Sequence, residues 1–219
     1  MPETPLPETP LWVWDEKSKR YRDSASGRYV GVETMNTLRA DYVTQQKDIY
    51  ASYATKYRTG TIDLPTLEAR MKLMLKETYI DMYAMGAGGR NNMTQSDWGK
   101  IGAMLKEQYG ANGYMKGFME AIARGELSEA QIAARMNMYI NSANEALWKG
   151  YAKDLPLKLP AYPGDGSTVC LTACQCSWLI EPVPGGYDCY WKLGRAEHCP
   201  DCLERAVNWS PYRIRVGGG

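Results

Sequence analysis

Chemistry in this chain is concentrated in its last third. All six cysteines fall between Cys170 and Cys202, and the single histidine, His198, stands beside Cys199. Cys170, Cys174 and Cys176 make one knuckle, and Cys199 and Cys202 make a second, a C-x-x-C that closes a chelate through a tight turn. Two close-spaced knuckles separated by about twenty residues let four thiolates surround one tetrahedral Zn2+ at about 2.3 Å each. The expected ligand pool is therefore Cys170, Cys174, Cys176, Cys199 and Cys202, with Zn2+ as a structural ion. Cys199 and Cys202 are the firmest pair. Cys170 joins them with either Cys174 or Cys176, because Cys-x-Cys seldom supplies both ligands. His198 could substitute for a thiolate, but a surface histidine is the simpler reading. Cys189 has no spaced partner and reads as a small packed side chain.

Three other chemistries compete for these residues. Six cysteines are an even number, as disulfides require, yet the opening MPETPLPETP lacks the basic start and apolar middle of a signal peptide, so synthesis in a reducing cytosol is expected. HCPDC places a proline inside a C-x-x-C, as thioredoxin-like oxidoreductases do, and would make Cys199 the attacking thiolate and Cys202 its resolving partner. Those enzymes embed the motif in a βαβ sheet, which the pattern here does not supply. An enzymatic zinc needs an open position with a nearby acid or base, and thiolates are instead in surplus.

A staple is needed where the cysteines sit. The stretch LPLKLPAYPGDG after Asp154 is rich in proline and glycine, cannot be helical, and reads as a linker or strap. The tail from Asp154 onward is too short and polar to hold one conformation by burial alone, so metal replaces the missing core. Trp178, Tyr190, Trp191, Trp209 and Tyr212 alternate with polar residues, as short strands folded over such a site would. Arg205, Arg213 and Arg215 could form a small basic face.

Ahead of the tail, the periodicity is helical from Glu33 to about Lys153. A first helix is predicted from about Thr34 to Tyr57, with Met35, Leu38, Tyr42, Ile49 and Tyr53 on one stripe and Gly60 as its stop. Asp63 caps a second, Pro65 sits in its first turn, and GAGG at 86–89 ends it. A third starts at Thr94 or Ser96, carries Trp98, Ile101, Leu105 and Tyr109 inward, kinks at Gly110 and Gly113, and continues through Phe118 to Gly125. Ser128 and Gln131 match a capping box for a fourth, which runs to Gly150 or Tyr151. The fold class is thus mainly α: a four-helix body (34–153), an extended N-terminal arm (1–33) and a proline-rich strap with a Cys-rich zinc module carrying short strands (154–219). In the arm, PETPLPETP favours extended chain, and two short strands around a turn at Asp23 to Gly27 follow it.

Composition narrows the function further. The 219 residues carry 26 Lys+Arg against 25 Asp+Glu, which argues against a dedicated nucleic-acid binder. No window approaches the apolar length of a bilayer span. One histidine leaves no room for His-based metal clusters. Sixteen Tyr, seven Trp and twelve Met against one Phe suit partly wet contact surfaces, so an interaction protein is favoured over an enzyme.

Several segments carry a resemblance. RYRDSASGRYV, SDWGKIGAMLKEQY, GFMEAIARGELSEAQIAARMNMYINSA, PAYPGDGSTVCLTACQCSWLI and YWKLGRAEHCPDC together resemble the small minor head, or head-morphogenesis, proteins of tailed bacteriophages and prophages, distantly similar to the minor head protein of phage Mu. Mu-like proteins carry a larger α/β portion before an HPNCRC-type tail, whereas this chain has only PGDGST ahead of its cysteines. The resemblance implies a virion component at the portal vertex or inside the capsid, made in the host bacterial cytoplasm and acting in head assembly or genome packaging and delivery. Its implied partners are a portal or major capsid protein and further copies of itself; the balanced charge and the lack of an apolar span argue separately against direct nucleic-acid contact and against a membrane. It implies no catalytic residues. The alternatives are a small thiol-dependent redox enzyme using Cys199 and Cys202, and a zinc-ribbon nucleic-acid adaptor.

Overall fold

The computed structural model describes residues 12–15 and 20–216, so the proline-rich repeat at the start lies outside the described residues. Strands β1 (Trp12–Asp15) and β2 (Arg20–Asp23) pair antiparallel, with Trp12 opposite Asp23. The expected turn follows β2. Asp23 accepts from the Ser26 amide at 2.6 Å, and Gly27 takes φ +67°, which leads the chain back to an isolated bridge between Arg22 and Tyr29.

Six helices, rather than four, make up the body: α1 (Val32–Arg58), α2 (Leu64–Ala87), α3 (Gln95–Tyr109), α4 (Tyr114–Ala123), α5 (Glu129–Ser142) and α6 (Asn144–Tyr151). Their starts follow side-chain chemistry. Asp63 accepts from the Thr66 amide, and both Thr94 with Asp97 and Ser128 with Gln131 form complete capping boxes. The expected kink at Gly110 to Gly113 is a full break between α3 and α4. A second break divides the expected fourth helix at Ala143, with no glycine or proline to announce it. There the Ser142 hydroxyl donates to the Tyr139 carbonyl at 2.6 Å, and the Ala143 amide falls back to the Ile140 carbonyl. A side chain thus takes the acceptor that the next turn of helix needs.

The core of the body is built from α2 and its neighbours. Leu67, Met71, Leu75, Tyr79, Met82 and Tyr83 are buried along α2, against Ala143, Ala146, Leu147 and Trp148. α2 and α6 cross at glycines. A Cβ on Gly86 would lie 1.9 Å from the Leu147 carbonyl oxygen, and one on Gly150 would lie 2.2 Å from that of Tyr83. The stripe on α3 differs from expectation: Trp98 is 38% exposed, and the buried residue beside it is Asp97. Asp97 turns inward because it has partners there. Its carboxylate accepts from the Tyr83 hydroxyl (2.6 Å), the Thr94 amide (2.9 Å) and hydroxyl (2.8 Å), and Lys100 (2.9 Å). Ile49, placed on the first stripe, is also largely exposed.

Beyond α6 the chain runs as an irregular strap whose Leu159 and Ala161 are buried. It leads to a meander of three antiparallel strands in the order β3 (Ser177–Val183), β4 (Gly186–Lys192), β5 (Tyr212–Arg215), with α7 (Pro200–Asn208) between the last two. The β3–β4 register sets Trp178 opposite Trp191. Their rings meet edge to face at 5.2 Å, and Trp209 stacks on Trp178 at 5.7 Å. Trp178 donates to the Ala161 carbonyl at 3.0 Å, which fastens the strap to the sheet. Trp178 and Trp191, with Trp209 packed against them, are therefore the tail's local core. Of the three arginines read as a basic face, Arg213 and Arg215 both approach Asp188, and Arg205 lies over the rings of Trp191 and Trp209.

Candidate metal centre

Each knuckle is shaped by its own local structure. In the second, Cys199 is the N-cap of α7 and Pro200 occupies the first turn, where its missing N–H costs nothing. The Cys202 amide closes the turn onto the Cys199 carbonyl at 3.0 Å, so both sulfurs leave one end of the helix together. In the first, a short 3-10 turn (Leu171–Ala173) separates Cys170 from Cys174, and Leu171 takes a left-handed φ of +48°. That conformation is unfavourable for a residue with a Cβ, and it turns the chain between the two cysteines.

Long-range hydrogen bonds bring the knuckles together. Asp201 accepts from the Val169 amide at 2.8 Å, and Arg205 donates to the Ser167 carbonyl at 3.0 Å. Cys170 Sγ lies 3.7 Å from Cys199 Sγ and 3.9 Å from Cys202 Sγ, and Cys174 Sγ lies 3.7 Å from Cys202 Sγ. Five cysteines thus gather in two overlapping groups, Cys170 with Cys199 and Cys202, and Cys174 with Cys176 and Cys202. Cys202 belongs to both. The cluster could hold a metal ion. These three separations match the edge of a sulfur tetrahedron whose centre lies about 2.3–2.4 Å from each vertex, the range of a metal–thiolate bond, while Cys174 shares a group with Cys202 but not with Cys170 or Cys199.

None of the six cysteines is in a disulfide, and the 3.7 Å between the sulfurs of Cys170 and Cys199, and of Cys174 and Cys202, exceeds a disulfide bond length of about 2.05 Å by a wide margin. Cys189, fully buried on β4, stays outside the cluster, with burial pushing its thiol up to about 11. His198 is half-buried and is not in either group. The sequence left Cys174 and Cys176 as alternatives, and both lie at the cluster.

The electrostatics of the cluster are graded. Burial pushes the thiols of Cys170 and Cys202 up, and the neighbouring Cys176 thiol together with burial does the same to Cys174. Cys199 goes the other way. Burial opposes its ionisation, but the amides of Cys202 and Cys170 and the thiols of the same two residues bring it down to about 7. A bound divalent ion would draw protons off these sulfurs, because it stabilises thiolates far more than neighbouring thiols can.

Two residues of the helical body reach the first knuckle. Asn144, at the start of α6, donates to the Thr172 carbonyl at 3.3 Å. Arg39, buried on α1, donates to the Gln175 carbonyl at 3.4 Å, between Cys174 and Cys176. Neither contact has a signal in the sequence, since 28 and 136 residues separate the partners.

Fold and site together define a mainly helical protein with a small antiparallel meander and a five-cysteine cluster competent for metal. Comparison with models of known families, with curated proteins and with solved structures finds no significant match.

Proposed function

We propose that the cysteine cluster is a structural zinc centre, with Cys170, Cys174, Cys199 and Cys202 as ligands and Cys176 as the spare thiol. The sulfur spacing carries this reading, since the 3.7–3.9 Å separations connect those four into one chain of contacts. Zn2+ suits four thiolates at these distances without demanding an open position. Its role is to hold the strap, meander and α7 in one arrangement on the helices. Metal analysis of protein purified without added metal tests this, with one equivalent of zinc per chain expected. Chelation should loosen the tail while most helical signal persists. Protein free of zinc, with the same melting curve before and after chelator, would refute it.

For the whole chain we propose a non-catalytic interaction protein of a tailed-phage head, located in the virion at the portal vertex and bound to portal or major capsid protein in more than one copy. This rests on the resemblance of the segments quoted above, with the tyrosine-, tryptophan- and methionine-rich composition in support. Co-expression with a portal protein and with a major capsid protein, followed by size-exclusion chromatography, tests it. Metal-dependent co-elution with one of them is expected, and elution alone in both cases would remove the proposal. The thiol-enzyme reading has one observation in its favour, the placement of Cys199 at the start of a helix 3.7 Å from Cys170. It requires rapid alkylation of Cys199 in metal-loaded protein, whereas ligation requires protection until the metal is stripped.

A further inference from the structure

Arg39 is 7% exposed, and its Nη1 has no hydrogen-bond partner among the described residues. Among the described residues, its other terminal nitrogen makes only the long contact with the Gln175 carbonyl. No carboxylate pairs with it among the described residues. The Trp148 ring, 5.9 Å from Cζ, offers a weak cation–π contact. The carbonyl it reaches, that of Gln175, stands between Cys174 and Cys176, two sulfurs of the cluster. A guanidinium cannot shed its proton at any ordinary pH, so this is a fixed positive charge buried on α1 and facing a sulfur cluster in the tail.

Such an arrangement is unfavourable beside neutral thiols, since a buried charge without a counter-charge is among the most destabilising groups a fold can contain. It becomes favourable once the cluster is loaded. Four thiolates around a divalent ion leave a net charge of −2, held in place beside the guanidinium. We infer that Arg39 is the counter-charge of the metal–thiolate centre, so that metal binding in the tail and docking of the tail on α1 form one coupled equilibrium. This rests on the metal reading above and adds to it a positioning residue from a distant part of the chain. By reciprocity, whatever the docked guanidinium contributes to metal affinity, the metal contributes to docking.

The test uses the full chain and three substitutions. R39M removes charge and donors, R39Q keeps a donor for the Gln175 carbonyl without the charge, and R39K keeps the charge. Zinc affinity is read by competition with a chromogenic chelator, and melting temperature is measured for loaded and stripped protein. R39M and R39Q should each weaken zinc binding about 30- to 100-fold, and R39K less than tenfold. The loaded forms of R39M and R39Q should melt lower than wild type, while their stripped forms melt at or above it, because the uncompensated charge has gone. The sign reversal is what a purely structural arginine cannot produce. Affinities within threefold of wild type for R39Q, or equal loss of stability in loaded and stripped states, would overturn the inference while leaving the zinc centre standing. Failure of the wild-type chain to bind zinc would overturn both. If R39M does not fold, R39Q against R39K decides the matter alone.

Discussion

Cys202 should be the least replaceable sulfur in the protein. It is buried, lies 3.9 Å from Cys170 and 3.7 Å from Cys174, and belongs to both cysteine groups. Structural zinc sites in small modules contribute about 10–16 kcal/mol, so each of four thiolates carries about 2.5–4 kcal/mol. Loss of one without a replacement therefore weakens binding by about 10^2- to 10^3-fold at 1.4 kcal/mol per decade. C202S is close to isosteric, leaves three ligands and has no spare sulfur placed to serve both groups, so it should show the full loss. C174S differs, because Cys176 lies within reach of Cys202 and can take its place, and a loss of about tenfold is expected. C176S should change affinity by less than that. The assay is competition with a chromogenic chelator on reduced, stripped protein, with thermal melts of the same samples. Equal losses for C176S and C202S, or a C202S variant that binds zinc as tightly as wild type, would refute the assignment of the ligands.

Glycines give a paired outcome on the helices. A Cβ at Gly150 meets the Tyr83 carbonyl oxygen at 2.2 Å, so G150A should destabilise the fold by about 3 kcal/mol or more and lower Tm by about 6–12 °C. A Cβ at Gly102 meets nothing within 4 Å, so G102A should stabilise α3 by about 0.5–1 kcal/mol, both read by thermal denaturation. Burial would raise the pKa of Asp97, but the Tyr83 hydroxyl, the Thr94 amide, Lys100 and the Thr94 hydroxyl together hold it well below the usual carboxylate range. Its contribution to stability is therefore complete above the unfolded-state pKa of about 4 and fades as pH falls through the lower folded value. D97A should cost about 3 kcal/mol at pH 7, and the difference from wild type should shrink in urea melts taken at progressively lower pH. Leu171, left-handed and half-exposed between two cluster cysteines, should tolerate glycine with stability unchanged or raised by about 1 kcal/mol, while valine should lower it by a similar amount.

Much of this protein is legible in its sequence because the signals are local. Asp63, Thr94 and Ser128 mark helix starts through hydrogen bonds that span three residues, and the C-x-x-C at Cys199 to Cys202 places two sulfurs together through one turn. The turn at Asp23 to Gly27 is of the same kind. Such features depend only on residues within one turn of each other, so they survive any tertiary arrangement. Tertiary structure decided the rest. Gly86 reads as part of a helix stop, yet α2 runs on through Ala87 to a left-handed Gly88, and Gly86 with Gly150 lets two helices cross at backbone contact. Ser142 ends α5 because its hydroxyl is held by Tyr79, a residue 63 positions earlier, while it takes the Tyr139 carbonyl. Arg39 reaches the Gln175 carbonyl across 136 residues, and no spacing rule reaches that far. Capping, turns and chelating pairs are written by neighbours along the chain; close helix crossings and long-range hydrogen bonds are written by neighbours in space.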